Sequence, residues 1–268
     1  MADDPKAADA RPGGDARGPR FREIPLRMVM PNLVTVLAIC AGLTGVRLAF
    51  EQRIEMAVVM VLLAAFLDGV DGRVARALKA TSKFGAEMDS LADIVNFGVA
   101  PGLVLYAFVL DQTGSPGWIA ALLFAIACGL RLARFNVMAP PPEKDNWRSG
   151  YFVGVPAPAG AMLVLLPAYL GFLGVEQTLA FAWFACGFTI LVAFLLVSRI
   201  PLWSGKNMGR VRGDLMLPLI LVILLYVLLL INYPWQAMSV TAIAYLIFIP
   251  LSWMSYRRRE KEEEDAGL

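Results

Sequence analysis

Four aspartates, Asp68, Asp71, Asp89 and Asp93, lie inside two long and otherwise largely apolar stretches, 56–78 and 85–110. An ionised carboxylate in hydrocarbon costs about 2.5 to 3.5 kcal/mol even on lenient insertion scales, so four of them require compensation. At about 100° per residue, Asp68, Asp71, Gly72 and Ala75 share one helical stripe, and Gly85, Asp89 and Asp93 share another. A turn of about six residues, 80–85, makes the two helices antiparallel neighbours, so the acidic stripes converge. Divalent metal binding is the economical explanation. Hard cations such as Mg²⁺ take carboxylate oxygens and complete their shell with substrate phosphates, and the glycines at 69, 72 and 85 leave room for phosphates or neighbouring backbone. The competing explanation is a buried ion network with Arg73, Arg76, Arg131 or Arg134, but four carboxylates on two facing stripes exceed what a helix staple needs.

Other chemistries are excluded by composition. Histidine is absent, which removes Ser-His-Asp and Cys-His catalysis, haem ligation and histidine zinc sites. A general base must therefore be a carboxylate or, less favourably, a lysine. Cys40, Cys128 and Cys186 lie in apolar stretches without CxxC spacing, so neither a disulfide framework nor a zinc site is expected. The net charge of +2 does not suit a nucleic-acid binder.

The elements that must position the aspartates are membrane spans. Of the 268 residues, 58% are hydrophobic, well above the usual share for a soluble domain. Apolar runs long enough to cross about 30 Å of hydrocarbon occupy 28–50, 56–78, 85–110, 117–137, 154–173, 179–198, 215–232 and 235–254. The expectation is an all-α, polytopic membrane helix bundle of about eight helices. Six is the fallback count, because Pro156 and Pro158 interrupt the fifth run and only Pro234 separates the last two.

Basic residues gather at alternate connections: Arg20, Arg22 and Arg27, then Lys79 and Lys83, Lys144 and Arg148, Arg199, Lys206 and Arg210, and finally Arg257 to Arg259. By the positive-inside rule both termini and these loops face the cytosol, which requires an even number of spans. Residues 1–24 read as a disordered cytosolic tail, 25–256 as the membrane domain and 257–268 as a solvated charged tail. Trp118, Trp183, Trp203, Trp235 and Trp253 fall near span ends, as an interfacial belt does.

The run Asp68-Gly69-Val70-Asp71-Gly72-Arg73-Val74-Ala75-Arg76, followed after eight residues by Gly85, Asp89 and Asp93, reproduces the CDP-alcohol phosphatidyltransferase signature. Further segments resemble the bacterial-type phosphatidylserine synthases of that family: Pro31-Asn32-Leu33-Val34-Thr35, Ser90 to Pro101, Arg131-Leu132-Ala133-Arg134-Phe135-Asn136, and Gly154-Val155-Pro156-Ala157-Pro158. The likeness runs through most of 24–206, while the last two runs match only in general character.

The resemblance implies that Asp68, Asp71 and Asp89 hold one metal, that Asp68 and Asp89 bridge to a second, and that Asp93 helps bind the second while acting as general base. The ions implied are Mg²⁺ or Mn²⁺. It also implies that Asn32, Thr35, Gly72, Arg76 and Ser82 receive the nucleotide and pyrophosphate of CDP-diacylglycerol, that six spans form the catalytic bundle with two accessory, and that the protein is a homodimer. The implied acceptor is L-serine, and the implied place is a bacterial or archaeal cytoplasmic membrane with the active site facing the cytosol.

Serine is a zwitterion, so its site needs a cation for the carboxylate and an acceptor for the ammonium. Arg131, Arg134 and Asn136 offer the first kind of contact and Asn96, one turn beyond Asp93, the second. The arginines serve equally as positive-inside anchors. Glycerol phosphate, inositol phosphate or choline is the alternative acceptor within the family, and a cation transporter is the rival from another class.

Overall fold

The computed structural model describes residues 26–77, 82–137, 150–203 and 216–265. The expected tail 1–24 and the basic residues Lys79, Lys144, Arg148, Lys206 and Arg210 lie outside them. All eight apolar runs are helical: α1 (Leu26–Phe50), α2 (Ile54–Ala77), α3 (Lys83–Asp93) continuing through a π-helical segment (Ile94–Val99) into α4 (Ala100–Phe108), α5 (Ser115–Val137), α6 (Ala157–Val164) with α7 (Leu166–Phe172), α8 (Leu179–Val197), α9 (Met216–Asn232) and α10 (Pro234–Asp265). Five helices among the described residues are long and apolar enough to cross a membrane: most of α1, the continuous run Lys83–Phe108, α5, α8 and α10. The chain is an all-α polytopic membrane bundle.

Helices that are apolar all round cannot be sorted by hydrophobicity inside lipid, and close packing of small residues does the sorting instead. On α1 and α2 the buried positions include Ala38, Ala41, Ala49, Ala57 and Ala64, with Val58 and Val61 as the larger apolar side chains among them. A Cβ on Gly45 would come within 2.9 Å of the Ala57 carbonyl, so these two helices touch backbone to backbone. Larger side chains fill the centre, where Phe97, Leu105, Phe124, Leu163, Leu165 and Tyr169 are completely or almost completely enclosed.

Four features depart from the expected elements. Pro156 and Pro158 sit at the start of α6, where proline is tolerated, and the break in the fifth run falls at Leu165, ahead of Pro167 in the first turn of α7. Gly85 belongs to α3 rather than to a turn, because Ser82 caps that helix by accepting from the Gly85 amide at 3.0 Å. The charged segment expected as a separate tail continues α10 as far as Asp265, with Arg257 over the Trp253 ring and an Arg258–Glu262 pair one turn apart.

The fourth departure is a two-stranded antiparallel ribbon, β1 (Tyr151–Val153) with β2 (Pro201–Trp203), which pairs Tyr151 with Trp203 and Val153 with Pro201. The ribbon holds α10 near its middle: Ser252 Oγ accepts from the Trp203 amide at 2.8 Å and donates to the Pro201 carbonyl at 3.2 Å. At the start of α10 Trp235 packs on Phe172 and donates from Nε1 to Glu55 at 2.9 Å. The last two helices therefore differ. Ala242, Met238 and Ile249 of α10 are part of the core, whereas α9 has no buried residue.

Candidate active site

Asp68 and Asp71 lie on α2, three residues apart, and Asp89 and Asp93 lie on α3, four apart, so each helix turns both carboxylates to the same side. Carboxylate oxygens of Asp68, Asp71 and Asp89 all fall within 4.8 Å of one another. Asp93 lies one turn further along α3 and interacts electrostatically with Asp68. Among the described residues none of the four forms an ion pair with an arginine, whereas Arg47–Glu51 and Arg258–Glu262 do pair. The arrangement is not that of a salt-bridged staple.

Asp71 is almost fully buried, and Thr35 on α1 donates to its Oδ2 at 2.7 Å. Its other oxygen, and Oδ1 of Asp68, are buried without any hydrogen-bond partner. Orphaned carboxylate oxygens in a dry site are costly unless a cation completes them. The donors are all hard oxygens, with no sulfur or imidazole among them, which is the set a divalent cation of the Mg²⁺ type prefers. The residues present fit such an ion.

A cleft of about 220 Å³ opens beside the carboxylates, between α1, α2 and α3. All five residues expected at the nucleotide and pyrophosphate line it: Asn32, Thr35, Gly72, Arg76 and Ser82. A Cβ on Gly72 would meet nothing within 4 Å, so the backbone there is open to a ligand. Two of the five also have structural partners, Thr35 as donor to Asp71 and Ser82 as the cap of α3. The Thr35–Asp71 bond is absent from the sequence reading, since nothing in the spacing of α1 says which of its faces meets α2.

The residues expected at the acceptor are placed unequally. Asn96 stands in the π-helical segment, fully buried, with both amide atoms unpartnered. Arg131 interacts electrostatically with Asp93, and its Nε is buried without a hydrogen-bond partner. Arg134 donates from Nη1 to the Val197 carbonyl at 2.8 Å, closing the end of α8, and Asn136 donates to Ser90 Oγ at 2.9 Å. Tyr245 on α10, a residue the sequence reading passed over, interacts electrostatically with Arg131.

Residues 28–191 match the sequence model of CDP-alcohol phosphatidyltransferase, and residues 214–250 match a second one, CDP-alcohol phosphatidyltransferase 2. The chain belongs to the CDP-alcohol phosphatidyltransferase family. The second match covers α9 and half of α10, where only a general likeness was expected. The chain is 41% identical over 238 residues to a CDP-diacylglycerol–serine O-phosphatidyltransferase of Mycobacterium leprae, covering 87% of this chain and 77% of that protein. It is 38% identical to the protein of that description from Mycobacterium tuberculosis, covering 89% and 83% of the two chains. For the corresponding Helicobacter pylori protein the identity is 36%, with coverage of 84% and 91%. These CDP-alcohol phosphatidyltransferase likenesses span the aspartate cluster, the cleft and the helices around them.

Proposed function

We propose that the chain is a phosphatidylserine synthase, which transfers the phosphatidyl group of CDP-diacylglycerol to the hydroxyl of L-serine and releases CMP. The observation that carries this reading is the convergence of three carboxylates, Asp68, Asp71 and Asp89, beside a cleft lined by Asn32, Gly72 and Arg76, with Asp93 one turn further along α3. The names of the relatives support serine as the acceptor.

In this reading Asn32, Gly72 and Arg76 hold the nucleotide and pyrophosphate in the cleft, with Thr35 and Ser82 at its wall. Asp68, Asp71 and Asp89 would hold one divalent ion, and Asp68, Asp89 and Asp93 a second, either Mg²⁺ or Mn²⁺. When bound, such ions neutralise the pyrophosphate and polarise the phosphorus. Asp93 accepts the proton of the serine hydroxyl as its oxygen attacks the β-phosphorus, and the bond to the CMP oxygen breaks in the same displacement. No covalent enzyme intermediate is needed.

Arg131, Arg134 and Asn136 are offered to the serine carboxylate, and Asn96, one turn beyond Asp93, to its ammonium. The active site faces the cytosol and both termini lie on that side, by the distribution of basic residues. A homodimer in a bacterial cytoplasmic membrane completes the proposal, on the family likeness alone.

The test is CMP release from CDP-diacylglycerol by the purified protein in detergent, with and without L-serine and a divalent metal. Serine-dependent, chelator-sensitive release is expected, and Asp93→Asn lowers it by about 10² to 10⁴. Release that responds instead to glycerol phosphate, inositol phosphate or choline overturns the assignment of serine, and no release with any alcohol overturns the transferase reading.

A further inference from the structure

The far end of the bundle carries a second cleft, of about 480 Å³, lined by Gln52, Arg53, Glu55, Phe108, Phe172 and Gln177. The rise of α2 from Glu55 to Asp68 is roughly 20 Å. This cleft is therefore separate from the one beside the carboxylates, and the transfer reaction makes no use of it.

Arg53 is unexpected where it stands. In the connections opposite the basic ones, 51–55, 111–116, 174–178 and 232–234, it is the sole lysine or arginine, on the side that the positive-inside bias disfavours. The turn that presents it is well defined. Gln52 takes φ 62°, a left-handed conformation uncommon outside glycine, and the Arg53 amide donates to the Leu48 carbonyl at 2.9 Å. The carboxylates on either side of Arg53 are engaged elsewhere, Glu51 with Arg47 at 2.7 Å and Glu55 with Trp235 Nε1 at 2.9 Å. An indole N–H is neutral, so the charge of Glu55 is left uncancelled.

Aromatic rings stand beside Glu55. Phe172 packs at 4.7 Å on the Trp235 that bonds this carboxylate, and Phe108 packs at 5.9 Å on Phe172. A Cβ on Gly171 would collide with the Phe108 ring, so the glycine is what admits it. A carboxylate beside aromatic faces suits an ammonium, and a guanidinium flanked by side-chain amides suits a phosphate. The cleft offers both halves of a zwitterion.

Met56, which also lines the cleft, begins a stripe on α2. Met56, Val59, Leu63 and Phe66 are all exposed, at spacings that keep them on one side of the helix. The stripe leads from the cleft toward the middle of the membrane, a path for acyl chains that a soluble zwitterion would leave unused.

We propose that this cleft binds the headgroup of a zwitterionic phospholipid in the leaflet away from the aspartate cluster. The phosphate lies on Arg53, the ammonium on Glu55 and the acyl chains along the α2 stripe. The proposal is independent of which alcohol accepts the phosphatidyl group.

The test is a titration of delipidated protein in detergent with phosphatidylethanolamine, phosphatidylglycerol or soluble glycerophosphoethanolamine, with bound molecules counted by native mass spectrometry. Phosphatidylethanolamine is expected to bind more tightly than either of the others. Arg53→Gln weakens it by about tenfold, the size of a lost hydrogen bond to a charged group. Glu55→Gln keeps an acceptor for Trp235 and removes the charge, so the preference for phosphatidylethanolamine over phosphatidylglycerol disappears. Both variants retain the CMP release and melting temperature of the parent.

Equal affinity of the parent and both variants for phosphatidylethanolamine overturns the proposal. Phosphatidylglycerol bound as tightly by the parent overturns the zwitterion, and glycerophosphoethanolamine bound as tightly overturns the lipid. A fall in CMP release or melting temperature in step with binding also overturns it, because Arg53 and Glu55 would then be structural.

Discussion

Asp71 shows how a single side chain from a third helix prepares the carboxylate cluster. Thr35 donates to one oxygen at 2.7 Å and leaves the other without a partner. The bond fixes the carboxylate's rotation. A hydrogen bond to a charged group is worth about 1.5 to 3 kcal/mol, and its loss frees the group to turn. Thr35→Val keeps the shape and removes the donor, so the metal concentration that half-saturates CMP release is expected to rise several-fold. Thr35→Ser restores it. A metal titration of both variants checks this, and identical midpoints would show that the hydroxyl has no part in orienting Asp71.

Among the elements, the π-helical segment Ile94–Val99 is the one no periodicity announced. It lies between Asp93 and α4, and such wide turns occur mostly as local bulges inserted at functional sites. Pro101, which cannot donate to the Phe97 carbonyl, stands in the first turn of α4, where a helix tolerates it. The segment buries Asn96 against α1, where a Cβ added to Gly42 would come within 2.6 Å of Asn96 Oδ1. Gly42→Ala must therefore displace Asn96, and overpacking of this kind costs about 1 to 3 kcal/mol. A lower melting temperature and a raised KM for serine are expected together. Gly187→Ala, whose Cβ meets nothing within 4 Å, is the matched control and is expected to leave both unchanged.

At the scale of the whole molecule, the uneven burial of the helices is what lipid requires. α9 exposes Leu217, Ile220, Leu221, Leu224 and Leu228, a surface that hydrocarbon covers at no cost and water does not. The carboxylate cluster, by contrast, is walled by α1, α2 and α3. The alternating basic connections predict that both ends of the chain lie on one face of the membrane. Protease-cleavable tags placed at residue 1 and after residue 268 are expected to be cut together in inverted vesicles and to be protected together in right-side-out ones. Cleavage of one tag from each side would mean an odd number of crossings.

The sequence by itself determined that the chain is a membrane bundle and that Asp68 with Asp71, and Asp89 with Asp93, each share one face of a helix; Asn32, Gly72 and Arg76 come from the family resemblance alone. Hydrophobic run length and helical phase are local properties, and two helices joined by a short connection have little choice but to meet. Only the tertiary structure decided that Thr35 serves Asp71, that Arg134 and Asn136 are tied to Val197 and Ser90, and that α10 rather than α9 joins the core. Those contacts join residues far apart in the chain, on helices whose faces are nearly all apolar. In such helices the pairing of faces follows from the fit of small side chains and a few hydrogen bonds, which appear only once the bundle has closed.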